Sequence, residues 1–258
     1  MVTTVAPHEG VSAAIRAANA AGRTALIPFL TAGYPDPAAF TRVLGSVAEA
    51  GDVVEIGVPF SDPMADGLTI QRSSHAAIAS GVSLRWIFEQ LESAEDAFAA
   101  PLVMMSYLNP LLAFGFERLG ARAAGAGVSG FIVPDLPLEE SGELRRALDA
   151  EGLALVQLVT PATPPARVSR LAHASRGFLY AVTVTGVTGG DGLPEALAAY
   201  LDAVSRASPL PVCAGFGIRS AADVAAVGRH TAGAVVGSAL VEVLERGDDA
   251  AAFLRGLR

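Results

Sequence analysis

The sequence predicts an α/β fold: eight parallel strands, each followed by a helix, closed into a barrel, with one extra helix at the N-terminus. Three observations carry this. Eight short runs rich in Val, Ile, Leu and Phe recur along the chain, and none alternates polar with apolar. Such runs suit strands buried on both faces, as in a parallel sheet. Between them lie segments with helical spacing of apolar residues. The length, 258 residues, is close to the roughly 250 typical of a (β/α)8 TIM barrel. No Pro/Ser-rich linker or shift in composition divides the chain, so residues 1–258 are expected to form one barrel domain.

The elements follow in order. A leading helix from about Glu9 to Ala21 is placed to cover the N-terminal end of the barrel. The strand runs are 24–33, 52–59, 101–108, 130–135, 154–160, 177–184, 211–217 and 232–239. The helical segments are 37–50, 84–98, 114–125, 139–151, 164–174, 193–206, 220–229 and 240–257. In the stretch Glu139 to Glu151, Leu144, Ala147 and Leu148 share one stripe with charges opposite. Asp36 before Pro37, and Ser220 ahead of Asp223, are capping signals. Counting strands does not decide closure, and an open doubly wound sheet fits the same pattern.

Composition removes several function classes. Apolar residues make up 52% of the chain and charged residues 17%, which rules out a disordered chain. With 18 basic against 26 acidic residues the formal charge is −8, and no basic cluster stands out, so nucleic acid is not an expected partner. All 18 basic residues are Arg. Without a lysine amine, Schiff-base, pyridoxal-phosphate and P-loop chemistry are excluded unless another chain supplies one. The single Cys213 allows neither an internal disulfide nor a Cys-based zinc site, and the four His residues lack metal-ligand spacing. No secretory signal or membrane-spanning run is visible, so a cytoplasmic, membrane-free protein without metal or cofactor is expected. Carboxylates, hydroxyls and backbone groups are left to do any chemistry.

Those groups concentrate where a barrel places its chemistry, at the C-terminal ends of the strands. Glu55 interrupts the apolar run Val53-Val54-Glu55-Ile56. It is either a salt-bridged core residue or a proton-transfer group whose pKa burial raises. The following loop, GVPFSDPMADG (57–67), carries Asp62, read as a turn residue with an interface role open to it, and Asp66, a catalytic candidate. Glycine-rich segments at 186–190, 214–220 and 236–240 follow strands, and the last two open into helices. Backbone amides there attract anions, and loops after strands 7 and 8 are where barrels frequently hold phosphate. Ser238 adds a donor. The residues thus describe a phosphate-ester site facing a pair of carboxylates.

Six motifs, IPFLTAGYPDP (27–37), EIGVPFSDPMADG (55–67), FIVPDLPLEES (131–141), TVTGVTG (183–189), AGFGI (214–218) and VVGSALV (235–241), make the chain resemble the tryptophan synthase α-subunit family over nearly its whole length. The resemblance implies a barrel that cleaves indole-3-glycerol phosphate to indole and glyceraldehyde 3-phosphate. It also implies a β-subunit partner, in an αββα complex, that receives indole through a tunnel and joins it to serine. On this resemblance Glu55 acts as general acid–base, Asp66 holds the indole N–H, and Tyr180 orients Glu55 through its hydroxyl. The phosphate falls to the amides of Gly189, Gly217, Gly237 and Ser238. Phe29, Tyr107, Ile132 and Phe216 form the indole pocket, with ordinary barrel core as the other role open to each. The chain departs from the family pattern at Leu68, where Pro usually follows ADG, and in a shorter GVTGG loop without Arg. A lyase acting without a β-subunit and a weakly active allosteric activator are the other functions compatible with the sequence.

Overall fold

A computed structural model describes residues 6–64, 66–95, 97–183, 193–215 and 217–258. Eight strands pair in parallel in chain order: β1 (Ala25–Thr31), β2 (Val54–Gly57), β3 (Leu102–Met105), β4 (Val128–Ile132), β5 (Ala154–Val159), β6 (Leu179–Val182), β7 (Val212–Gly215) and β8 (Gly233–Val236). β8 returns to β1, with Ala25 opposite Gly233 and Pro28 opposite Val236. That pairing closes the sheet and excludes the open doubly wound alternative.

Side chains on a strand alternate between the barrel interior and the surrounding helices. Leu26, Leu30, Val54 and Ile56 join the outer core, packed against the helices. Ile27, Val53, Val103, Ile132, Val156 and Phe178 fill the interior. Glu55, between Val54 and Ile56, therefore faces inward. The leading helix α1 (Pro7–Ala20) closes the N-terminal end, adding Val11, Ile15 and Ala18 to the interior core. The Ser12 hydroxyl donates to the carbonyl of Gly177, ahead of β6, and the His8 backbone N–H donates to the carbonyl of Gly152 at 3.1 Å, which ties the plug in place.

The other helices run α2 (Phe40–Ala50), α3 (Leu68–Ala79), α4 (Leu84–Glu92), α5 (Leu108–Phe114), α6 (Phe116–Gly125), α7 (Gly142–Asp149), α8 (Pro165–Ala174), α9 (Glu195–Ala207), α10 (Ala221–Gly228), α11 (Ser238–Glu245) and α12 (Ala250–Arg255). Two were not expected. The buried face of α3 is Ser73, Ser74 and Ala77, small residues that give no apolar stripe to read. α5 carries Pro110 in its first turn, where a missing N–H costs nothing, and Gly115 separates it from α6. The expected helix 240–257 is two, because Asp249 caps a new one through Ala252 N–H at 2.9 Å. Asp36 caps a short 3₁₀ turn instead of α2 itself. The Ser220–Asp223 capping box forms as expected. Among the described residues no helix is long and apolar enough to cross a membrane.

Ile15 is fully buried at the plug. Its replacement by Ala is expected to lower stability by about 2–5 kcal/mol, as for other fully buried aliphatic truncations, read as an earlier urea-unfolding midpoint with an unchanged slope.

Candidate active site

A cavity of about 160 Å³ opens at the C-terminal end of the barrel, and Glu55, Asp66, Tyr180, Gly217, Gly237 and Ser238 all line it. A larger groove of about 1050 Å³ lies between α4 and the α5–α6 pair, lined by apolar residues such as Val82, Leu84 and Phe114 and by Arg85, Glu117, Arg118 and Arg122, none of these charges being fully buried. The candidate catalytic residues line the smaller cavity, where Glu55 and Tyr180 are buried.

Glu55 carries the site. It is 0% exposed, and neither carboxyl oxygen has a hydrogen-bond partner among the described residues. The salt-bridged core role left open by the sequence is therefore not the one it takes. Burial alone pushes its pKa from the ordinary 4.5 to about 8, because desolvation penalises the charged form. At neutral pH the group is mostly a neutral acid with a proton to give.

The neighbouring strands shape the space around it. Phe29 stands opposite Glu55 in the β1–β2 register. Its ring lies over Gly57, where a Cβ would come within 2.4 Å of the ring carbon Cζ. Gly215 does the same for Tyr180: a Cβ there would sit 2.1 Å from the tyrosine hydroxyl. Both glycines make room for a site aromatic, a role that neither the 57–67 loop nor the glycine-rich segment 214–220 shows in sequence.

Asp66 is half-buried on the loop between β2 and α3. Burial raises its pKa, and a hydrogen bond from the Tyr107 hydroxyl to Oδ2 at 3.2 Å opposes that rise. Gln71 Nε2 donates to the Asp66 carbonyl at 2.8 Å, which fixes the backbone where the side chain departs. Tyr107, expected as a pocket wall, lines a small adjoining cavity with Phe29 and Asp66, and it also serves as a ligand to Asp66. The phenol–carboxylate pair was not legible because 41 residues separate the partners.

Other expectations meet corrections. Tyr180 is buried close enough to Glu55 for the carboxylate's charge to help burial raise its pKa. The expected hydroxyl contact to Glu55 is nevertheless not formed, since both Glu55 oxygens lack a partner and the tyrosine hydroxyl lies over Gly215. Ile132 is interior core and lines neither cavity; Met105, its partner in the β3–β4 register, lines both. Gly189, Phe216 and the GVTGG loop lie outside the described residues. Asp62 is exposed and accepts a hydrogen bond from the adjacent Ser61 hydroxyl at 2.5 Å, in keeping with a turn role.

At the far end of the cavity Gly237 caps α11 and Ser238 is its first residue. The leading amides of a helix have no intrahelical acceptor and point their positive dipole end outward, which favours an anion. Among the described residues no group of three His, Cys, Asp or Glu side chains gathers where it could hold a metal ion.

Residues 15–255 match the family model described as Tryptophan synthase alpha chain. The chain belongs to the tryptophan synthase alpha chain family. A relative from Desulfovibrio desulfuricans, named tryptophan synthase alpha chain, is 48% identical over 248 residues, covering 93% of this chain and 96% of that protein. One from Nitratidesulfovibrio vulgaris strain DP4, with the same name, is 46% identical over 243 residues, covering 93% and 95%. Among solved structures, tryptophan synthase from M. tuberculosis superposes with a TM-score of 0.87 at 33% identity, covering 96% of both chains. Tryptophan synthase subunit alpha from Legionella pneumophila gives 0.88 at 28%, covering 98% and 97%. Leu68, where the resemblance leads one to expect Pro, occupies the first position of α3, a position proline suits, and α3 begins there without it.

The Glu55 shift has a signed consequence for stability. Its folded pKa lies above the ordinary value, so the folded chain binds the extra proton between them. That contribution is fully present below pH 4.5, declines as pH rises, and is lost above about 8. Denaturation midpoints across this range are expected to fall for the wild-type chain relative to Glu55→Gln, whose difference curve lacks the slope.

Proposed function

We propose that the protein cleaves indole-3-glycerol phosphate to indole and glyceraldehyde 3-phosphate, as the α-subunit of tryptophan synthase in tryptophan biosynthesis. The observation that carries this reading is a fully buried, unpartnered carboxyl inside a cavity whose rim offers helix-terminal amides. The phosphate is held at Gly217, Gly237 and Ser238, and the indole ring lies against Phe29 and Met105.

Glu55 gives its proton to indole C3, and positive charge spreads onto the ring nitrogen. Asp66, held by Tyr107, accepts a hydrogen bond from the indole N–H and stabilises that charge. The Glu55 carboxylate then takes the proton of the side-chain hydroxyl beside the ring. As the hydroxyl carbon becomes an aldehyde, the C–C bond breaks and its electron pair returns to the ring, restoring indole. Glu55 ends protonated, as it began. A retro-aldol split ordinarily draws on a lysine imine or a metal as electron sink; here the protonated heterocycle is the sink. This suits a chain without lysine and calls for no cofactor.

Indole is passed to a β-subunit in an αββα complex. Met64, on the loop that carries Asp66, is 91% exposed and Leu68, at the start of α3, is 80% exposed, and we assign them to that contact, since apolar side chains so exposed suit burial against a partner. The location is cytoplasmic.

Incubating the purified chain with indole-3-glycerol phosphate, alone and with a β-subunit, is expected to release indole. Glu55→Gln should lower turnover by roughly 10²–10⁴-fold with the fold intact, and Asp66→Asn by on the order of 10²-fold. No indole in either condition, or near-normal turnover by Glu55→Gln, would overturn the reading.

A further inference from the structure

Arg219 follows Gly217 and Ile218 after β7 and borders the same cavity as Gly237, Ser238 and Glu55. Among the described residues lining that cavity it is the one permanent cation. Its backbone is pinned: the amides of Arg219 and Ser220 both donate to Asp223 Oδ2 at 2.9 Å, as part of the capping box that starts α10. Its side chain is 54% exposed and pairs with Glu242: Nη2 donates to Oε2, and Nη1 lies 3.4 Å from Oε1. Glu242 stands one turn beyond Ser238 on α11, on the same helical face. The pair therefore parks the guanidinium beside the helix start where an anion would bind.

We propose that Arg219 is a direct ligand of the substrate's ester phosphate, restrained by Glu242 until the anion enters. This rests on the reading of the cavity as a phosphate-ester site. Without Arg219 the described lining would offer the anion only uncharged donors, the amides around Gly217 and Gly237 and the Ser238 residue, in a cavity that also holds Glu55 and Asp66, on a chain of net charge −8. The buried, unpartnered Glu55 carboxyl marks the same cavity as built around a ligand. The exchange is favoured by magnitude. An ion pair as exposed as Arg219–Glu242 contributes little, whereas a guanidinium fork on a phosphate in a partly enclosed site makes two charge-assisted hydrogen bonds. Glu242 Oε1 also accepts from Thr69 Oγ1 at 3.4 Å. Thr69 lies on α3, three residues after Asp66, so the carboxylate that releases Arg219 is also tied to the helix that follows the second acid.

The ligand role and a purely structural ion pair predict different patterns. If the pair only braces the surface, Arg219→Gln and Glu242→Gln break the same bond and act alike. If Arg219 binds phosphate, they act in opposite directions. Calorimetric titration of the full chain with glycerol 3-phosphate is expected to give a Kd roughly tenfold weaker for Arg219→Gln. Glu242→Gln should bind about two- to fivefold tighter, because the competing carboxylate is gone, and Arg219→Lys should fall between wild type and Arg219→Gln. The KM for indole-3-glycerol phosphate should follow the same order. A wild-type chain that cleaves the substrate while both Gln variants bind glycerol 3-phosphate alike, or Arg219→Gln binds it as wild type does, overturns the Arg219 assignment and leaves the lyase reading standing. A wild-type chain that neither cleaves the substrate nor binds glycerol 3-phosphate overturns both.

Discussion

The site depends on one constraint: a carboxyl group is held in an apolar barrel where none of the described residues pairs with it. An ionised carboxylate so placed would lose its hydration without replacement, and the protein avoids that cost by keeping Glu55 protonated. Its inward aim follows from strand alternation, since Val54 and Ile56 on either side are claimed by the outer core. Its isolation follows from apolar neighbours, Phe29 and Val103, opposite it on the flanking strands. An opposing charge in this position would favour the ionised carboxylate and remove the proton that the proposed general acid must give.

The second acid is treated differently. Asp66 is on a loop, only half-buried, and receives the Tyr107 hydroxyl, which works against the effect of burial. Two carboxyl groups lining one cavity thus face different environments, one apolar and unpartnered, the other hydrogen-bonded. Such a division separates a proton donor from a charge stabiliser. Tyr107 is part of this arrangement through its hydroxyl, which offsets part of the rise that burial gives Asp66.

Much of the fold was legible because parallel strands buried on both faces leave uninterrupted apolar runs, and because eight of them fit the chain length. Closure was not, since it lies in the pairing of Ala25–Pro28 with Gly233–Val236, some two hundred residues away. α3 was hidden because a helix seated on Ser73, Ser74 and Ala77 offers no large apolar residue to mark its face. In the site, Glu55 stood out as a charge inside an apolar run, and Gly237 and Ser238 as a glycine-rich helix start. Contacts between distant segments left no local trace, such as Tyr107 with Asp66 or the Tyr180 hydroxyl over Gly215. Arg219 carries no signal of its own in the glycine-rich segment 214–220. What it does there depends on Glu242, 23 residues further on.

The protonation state of Glu55 can be observed directly. Infrared difference spectra of the wild-type chain against Glu55→Gln, recorded across a pH series, isolate the carbonyl stretch of this one carboxyl group. The account predicts a protonated acid at neutral pH whose signal disappears with a midpoint at about 8. A signal already lost in the ordinary carboxylate range, around pH 4–5, would contradict it.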